Sequence, residues 1–234
     1  MERDLDAMAV IFPFEPKCYA DTSLPVEFVG HPFVALDYVP PVRYDPAGPV
    51  LLLPGSRKQA VARIFPVLLA GFARFGGGEA VVLYPSDEIR SVLTAARPPS
   101  HVQLVEVGEG HATGQGARAA SAVLTSSGTV SMHCALAAIP GAIAYRTNAL
   151  TYFFARRLVK VPFIGIANLL LGEALYPEYI QDAATPDALA AELRACLGDS
   201  VRRERTAAGT ARLRELLQLP TTGSAADWLA KNLP

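Results

Sequence analysis

Val50-Leu51-Leu52-Leu53-Pro54-Gly55-Ser56-Arg57 is an apolar run of strand length that stops at a proline and a glycine. Directly behind it, from Gln59 to Phe75, the apolar residues fall three and four apart, the period of a helix packed on one side. A run with no polar alternation, followed at once by a helix, reads as a parallel strand covered on both faces. The same pattern recurs on either side. Ala9 to Phe12, Val26 to Val29, Ala80 to Leu83, Val102 to Val105, Ala122 to Thr125 and Ala142 to Tyr145 read as strands, and Asp87 to Arg97 and Thr129 to Ala138 as helices between them. After Tyr145 the pattern turns mainly helical, at Leu150 to Val159, Pro186 to Leu197, Val201 to Leu217 and Ala225 to Asn232. Gly76-Gly77-Gly78 reads as a helix stop and loop. The fold class expected is α/β, a doubly wound parallel sheet.

With 234 residues, 51% of them hydrophobic, the chain is long enough for one large core or one core and a small appendage. The Pro40 to Pro49 stretch holds four prolines and a glycine among few apolar residues and reads as a linker. The residues before it are too few to fold alone and look like the tail of something larger. Lys and Arg total 21 against 22 Asp and Glu, so the net charge of −1 offers no global field for nucleic acid, and any anion must be held locally. Cys18, Cys134 and Cys196 are scattered, without a CxxC pair, which speaks against both a disulfide framework and a zinc site. The N-terminus carries acid where a signal peptide carries base, so a cytoplasmic chain is expected. The apolar stretch from Leu150 to Leu175 is interrupted by Arg156, Arg157, Lys160, Pro162, Gly165 and Asn168 and does not read as a membrane span. Within it, Tyr152 to Lys160 joins large apolar side chains to three cations. It fits either a surface helix lying on a bilayer or a core helix with cations at its end.

Two turns carry the chemistry. In the first, Gly55 permits close backbone approach, Ser56 is placed to cap the helix, and Arg57 is placed to clamp a phosphate at the helix start. Taken alone, that segment fits an ordinary strand-turn-helix with a surface arginine better, since glycine is common in such turns. The second turn repeats the design: Ala122 to Thr125 leads into Ser127, Gly128 and Thr129 and then a helix. Two polar, glycine-containing turns at the carboxyl ends of strands in one open sheet suggest a diphosphate site. No GxGxxG and no GxxxxGK[ST] is present, which excludes a dinucleotide fingerprint and a Walker loop. Arg146 follows the strand ending at Tyr145, Asn168 sits in an apolar surround, and Gln181 offers a donor-acceptor pair of the kind that reads sugar hydroxyls. Each has a structural alternative: a cap, a loop tie or a surface amide. The histidines show no metal-ligand spacing, and no GxSxG elbow supports a hydrolase.

In chain order, Phe12-Pro13-Phe14-Glu15-Pro16, Phe28-Val29-Gly30-His31-Pro32, Leu53-Pro54-Gly55-Ser56-Arg57, Ser127-Gly128-Thr129, Ala144-Tyr145-Arg146, Leu158-Val159-Lys160-Val161, Asn168-Leu169-Leu170 and Pro177-Glu178-Tyr179-Ile180-Gln181 resemble the C-terminal part of lipid-A-disaccharide synthases. The resemblance covers nearly the whole chain. It implies a GT-B glycosyltransferase with Rossmann-like domains, in which residues 1–40 are the remnant of the N-terminal domain and the crossover, and residues 41–234 the UDP-sugar-binding domain with its C-terminal helices. It implies transfer of 2,3-diacylglucosamine from its UDP donor to 2,3-diacylglucosamine 1-phosphate, without a metal or other cofactor, at the inner membrane. By motif, Gly55, Ser56, Arg57, Ser127, Gly128 and Thr129 would face the UDP phosphates, and Arg146, Asn168 and Gln181 would complete the donor pocket. The acceptor base, and most of the catalytic machinery, would come from an N-terminal half, on this polypeptide or a separate chain. The chain departs from the family at two positions. His133 stands where a glutamate would grip the ribose hydroxyls, and Ala60 stands where an acid follows the arginine by three residues. A noncatalytic UDP-sugar-binding remnant is the alternative reading, and a UDP-N-acetylglucosamine epimerase a more distant one.

Overall fold

The computed structural model describes residues 4–35, 38–107, 117–148, 152, 161–218, 221 and 223–232. It divides into two compact units, one formed by residues 40–210 and the other by residues 1–39 with 211–234.

In the larger unit the strands are β3 (Val42–Tyr44), β4 (Val50–Leu53), β5 (Ala80–Tyr84), β6 (Val102–Glu106), β7 (Arg118–Ala120), β8 (Ala122–Thr125), β9 (Gly141–Tyr145) and β10 (Glu178–Ile180). Six of them form one parallel sheet in the order β10-β9-β8-β4-β5-β6. From β4 the chain steps outward to β5 and β6, then returns to lay β8, β9 and β10 on the other side. The order therefore reverses between β4 and β8, which pair with Leu53 opposite Thr125. These two central strands are buried at every position, as their unbroken apolar runs require.

The covering helices are α2 (Lys58–Phe75), α3 (Asp87–Ala95), α4 (Thr129–Leu136), α5 (Ile166–Leu171), α6 (Pro186–Gly198) and α7 (Ser200–Leu217), the last shared between the two units. Val50, Leu52, Leu124, Ala142 and Ala144 join Phe65, Leu68 and Phe72 of α2, Ile89 and Leu93 of α3, and Leu189 and Leu193 of α6 in one buried cluster. The alternate residues of the same strands, Leu51, Val123 and Ile143, are buried on the opposite face. α2 and α6 approach each other closely at Gly71, where a Cβ would come within 2.7 Å of the Leu189 Cβ, so a larger residue would push α6 off α2. Gly76 ends α2 in the left-handed conformation, φ 95°, the helix stop the glycine run suggests.

The smaller unit contains β1 (Met8–Val10), α1 (Glu15–Cys18), β2 (Val26–Phe28) and α8 (Ala225–Asn232). β1 and β2 pair in parallel, Met8 with Val26. The turn after β1 is held by the Glu15 carboxylate, which accepts from the Ile11 and Phe12 amides. The turn after β2 is held by His31, whose Nδ1 accepts from the Phe33 amide.

Several expectations are corrected. The Pro40 to Pro49 stretch is not simply a linker: it contains β3, which pairs in parallel with β7, and Val42 within it is completely buried. The helices expected to reach Arg97 and Ala138 stop at Ala95 and Leu136. Arg97 (φ 50°) and Ala138 (φ 55°) themselves adopt the left-handed backbone that terminates each helix, a role the sequence signals only when glycine fills it. The helix expected from Leu150 to Val159, and with it nearly all of the Tyr152 to Lys160 segment, lies outside the described residues. Among the described residues, no helix is long and apolar enough to cross a membrane.

Candidate active site

The strand order reverses between β4 and β8, and the carboxyl ends of strands at such a reversal are where open α/β sheets bind ligands. Both expected turns follow directly from these two strand ends. Gly55, φ 102°, adopts a backbone that only glycine holds without strain, and a Cβ there would lie 3.0 Å from the Ser126 Oγ. The amide of Ser126 in turn donates to the Leu53 carbonyl at 2.8 Å. The two turns are thus pressed together at the level of Gly55 and Ser126. Ser126 is a residue that sequence reasoning passed over, because between Thr125 and Ser127 nothing marks it apart from its polar neighbours.

Each turn feeds a helix start that no side chain caps. The N-cap of α2 is Arg57, not the expected Ser56, and it makes no side-chain capping bond. The N-cap of α4 is Gly128, which has no side chain to offer. The starts of α3 and α5 likewise lack a side-chain cap, whereas α6 is capped by the Thr185 hydroxyl accepting from the Ala188 amide. Uncapped first-turn amides at adjacent helix starts present N–H groups and positive dipole ends to the same volume. Ser56, Arg57, Gly128 and Thr129 are all exposed there, and Arg57 has no ion-pair partner among the described residues. Ser127 is half-buried, and its hydroxyl donates to the Ile164 carbonyl at 2.9 Å. His133, partly buried, lies four residues into α4 from Thr129, one helical turn along.

The remaining candidates follow along the same sheet edge. Arg146 leaves β9, and its Nη2 donates to the Ala184 carbonyl at 2.8 Å. Gln181 follows β10 in a left-handed backbone, φ 53°, strained for a residue with a side chain. Its Oε1 accepts from the Thr147 amide at 2.9 Å, and its Nε2 donates to the Thr147 carbonyl at 3.2 Å. The amide thus ties the exits of β9 and β10 together, and it retains one N–H and one lone pair.

Asn168 is not on this surface. It is fully buried in α5, where Nδ2 donates to the Tyr176 carbonyl (2.7 Å) and to Glu178 Oε1 (2.8 Å), while Oδ1 accepts from the Tyr176 amide (3.0 Å). Both N–H groups are spent inside the fold, so the loop-tying alternative describes its bonding here. Its partner Glu178 escaped notice in the sequence, because an acid in an edge strand gives no sign of which amides it will meet.

Comparison with known proteins gives the family and the fold. The sequence profile of the lipid-A-disaccharide synthetase family matches residues 1–231. The chain is 36% identical over 230 residues to the lipid-A-disaccharide synthase of Geobacter metallireducens, covering 92% of this chain and 59% of the relative. It is 34% identical over 246 residues to that of Syntrophus aciditrophicus, covering 98% and 63%. It therefore spans roughly three-fifths of the length of these relatives. Among solved structures, the calicheamicin glycosyltransferase CalG4 superposes with a TM-score of 0.54 at 18% identity, covering 98% of this chain and 53% of its own. The spinosyn rhamnosyltransferase SpnG gives 0.52 at 18% identity, covering 91% and 52%. Os79 of O. sativa, solved in complex with UDP, gives 0.54 at 12% identity, covering 98% and 54%. The fold is that shared by GT-B glycosyltransferases, and the chain belongs to the lipid-A-disaccharide synthetase family.

Proposed function

We propose that this chain is the donor-binding half of a glycosyltransferase of lipid A biosynthesis, transferring 2,3-diacylglucosamine from its UDP donor to 2,3-diacylglucosamine 1-phosphate. The observation that carries the reading is the pair of uncapped helix starts, α2 and α4, at the carboxyl ends of the neighbouring strands β4 and β8. In this reading the UDP pyrophosphate lies across Gly55 to Arg57 and Ser127 to Thr129. Arg57 supplies the cationic contact, and His133 offers a hydrogen-bonding group, not an anion, toward the ribose. Arg146 and Gln181 bound the pocket on the β9 and β10 side, and Asn168 shapes it from within.

The chemistry asked of these groups is electrostatic. As the glycosidic bond to the donor breaks, negative charge grows on the departing β-phosphate. Fixed N–H dipoles and a guanidinium stabilise that charge without rearranging. The proton of the acceptor hydroxyl needs a base. In this reading it is supplied from the part of the relatives' length that this chain does not span. The acyl chains of donor and acceptor place the reaction at a membrane surface.

Calorimetric titration of UDP into the 234-residue chain tests the site. The expected result is saturable binding that Arg57→Ala weakens by roughly 1.5 to 3 kcal/mol, the range for a hydrogen bond to a charged group. Equal affinity in the two proteins would remove Arg57 from the site, and no binding to either would remove the reading.

A further inference from the structure

The Glu178 carboxylate, on the edge strand β10, accepts three N–H groups: Ile164 N on Oε2 at 2.9 Å, and Gly165 N (2.9 Å) and Asn168 Nδ2 (2.8 Å) on Oε1. Ile164 and Gly165 immediately precede α5 and form no part of it, so their amides have no helical acceptor, and a carboxylate satisfies both at once. The carbonyl of the same Ile164 accepts the Ser127 hydroxyl. Between these two anchors the segment crosses β9. Glu178 and Thr125 sit opposite Ile143 on either side of it, and a Cβ on Gly165 would clash with the Ile143 methyl. The segment is therefore a bracket, clamped to β10 by Glu178, resting on β9 at Gly165, and gripping the turn after β8 at Ser127.

We infer that Glu178 is a positioning residue for the pyrophosphate turn: by fixing the Ile164 and Gly165 amides it aims the Ile164 carbonyl at Ser127 and so sets the conformation of Ser127 to Thr129 at the start of α4. This rests on the donor-site reading above but adds a residue that never meets the ligand. A glutamine at this position keeps the size but turns one of the two acceptors into a donor facing N–H groups, so one anchor of the bracket is lost.

The test compares the wild-type chain, Arg57→Ala, Glu178→Gln, Ser127→Ala and the double variant Glu178→Gln/Ser127→Ala, by UDP calorimetry and by amide hydrogen exchange without nucleotide. Expected are an affinity loss of about tenfold in Glu178→Gln, little further loss on adding Ser127→Ala, and faster exchange at residues 127–131 as well as 161–168. A residue that merely supports the fold would leave the two single losses independent. Multiplying losses, or wild-type affinity in Glu178→Gln while Arg57→Ala is impaired, would overturn the inference and leave the site standing. Absence of UDP binding to the wild-type chain would remove the site itself. The bracket then stands or falls on exchange alone, with unchanged protection at residues 127–131 overturning it. Should Glu178→Gln fail to fold, Glu178→Asp, which withdraws the carboxylate by one methylene, takes its place under the same criteria.

Discussion

The ring of His31 is only 5% exposed, and its Nδ1 accepts from the Phe33 amide, an arrangement that needs an unprotonated nitrogen. Burial lowers its pKa below the ordinary value of 6.5, with a smaller opposing pull from Glu15. A base whose pKa is depressed on folding resists a proton that the unfolded chain accepts. Its contribution to stability is therefore complete above pH 6.5 and is lost as the pH falls below that value. We expect the thermal midpoint to drop between pH 7 and pH 5, and His31→Asn, whose Oδ1 can take over the Phe33 bond, to shed part of that drop. Parallel profiles for the two proteins would show that other groups carry the acid sensitivity. Residues of this kind mark the limit of what the sequence discloses. The positions of Gly55, Arg57 and Gly128 at strand exits were legible because an apolar run that ends in glycine marks a turn before a helix. Asn168 was ambiguous, since a buried amide and a ligand-reading amide look alike until the partners Tyr176 and Glu178 are known.

Elements were legible where periodicity had room to develop. Strands β4 and β8 fall on the expected residues, and the long helices α2, α6 and α7 within one residue at each end. The misses are β3, β7 and β10, three residues each, and the short helices α1 and α5. β1 and β2 are as short but lie in longer apolar runs, whereas β3, β7 and β10 have no such run around them and form because a partner strand supplies their hydrogen bonds. The joint between α6 and α7 was equally invisible. Arg202 donates through Nε to Glu192 Oε1 (3.1 Å), through Nη1 to the Leu175 carbonyl (3.1 Å) and through Nη2 to the Gly141 carbonyl (2.8 Å), and both charged side chains are 11% exposed. Tyr179, whose hydroxyl donates to Glu192 Oε2, has its pKa pushed up to about 12 by burial and by that carboxylate. Removing one partner leaves the other charged and buried, so Arg202→Met should destabilise the fold by about 3 to 5 kcal/mol. Adding Glu192→Leu removes the stranded charge and should recover much of the loss, read as urea midpoints. A double variant no better than the single would mean that the carbonyl bonds to Leu175 and Gly141, not the ion pair, hold the joint.

At the scale of the molecule, the reversal of strand order at β4 and β8 makes site and core two sides of one construction. The strands that carry Gly55 and Gly128 beyond their carboxyl ends are buried at every position, so the two turns sit on the least deformable part of the sheet. Cysteine chemistry gives this a direct readout, because Cys134 lies in α4 behind the second turn and Cys196 in α6 on the core cluster, both fully buried, while Cys18 is exposed. Burial pushes the thiols of Cys134 and Cys196 up to about 12, which removes the thiolate as well as the access that alkylation needs. Native protein treated with iodoacetamide at pH 8 should therefore take up one adduct, at Cys18, and all three cysteines should react in denaturant, as read by intact mass. Labelling of Cys134 and Cys196 under native conditions should proceed at one common slow rate if their separate surroundings, α4 and the cluster around α6, open only together. If Cys134 reacts well before Cys196, then α4 opens apart from the sheet. The second turn would then be a mobile partner to a rigid first one, and UDP should slow Cys134 labelling selectively by holding α4 closed.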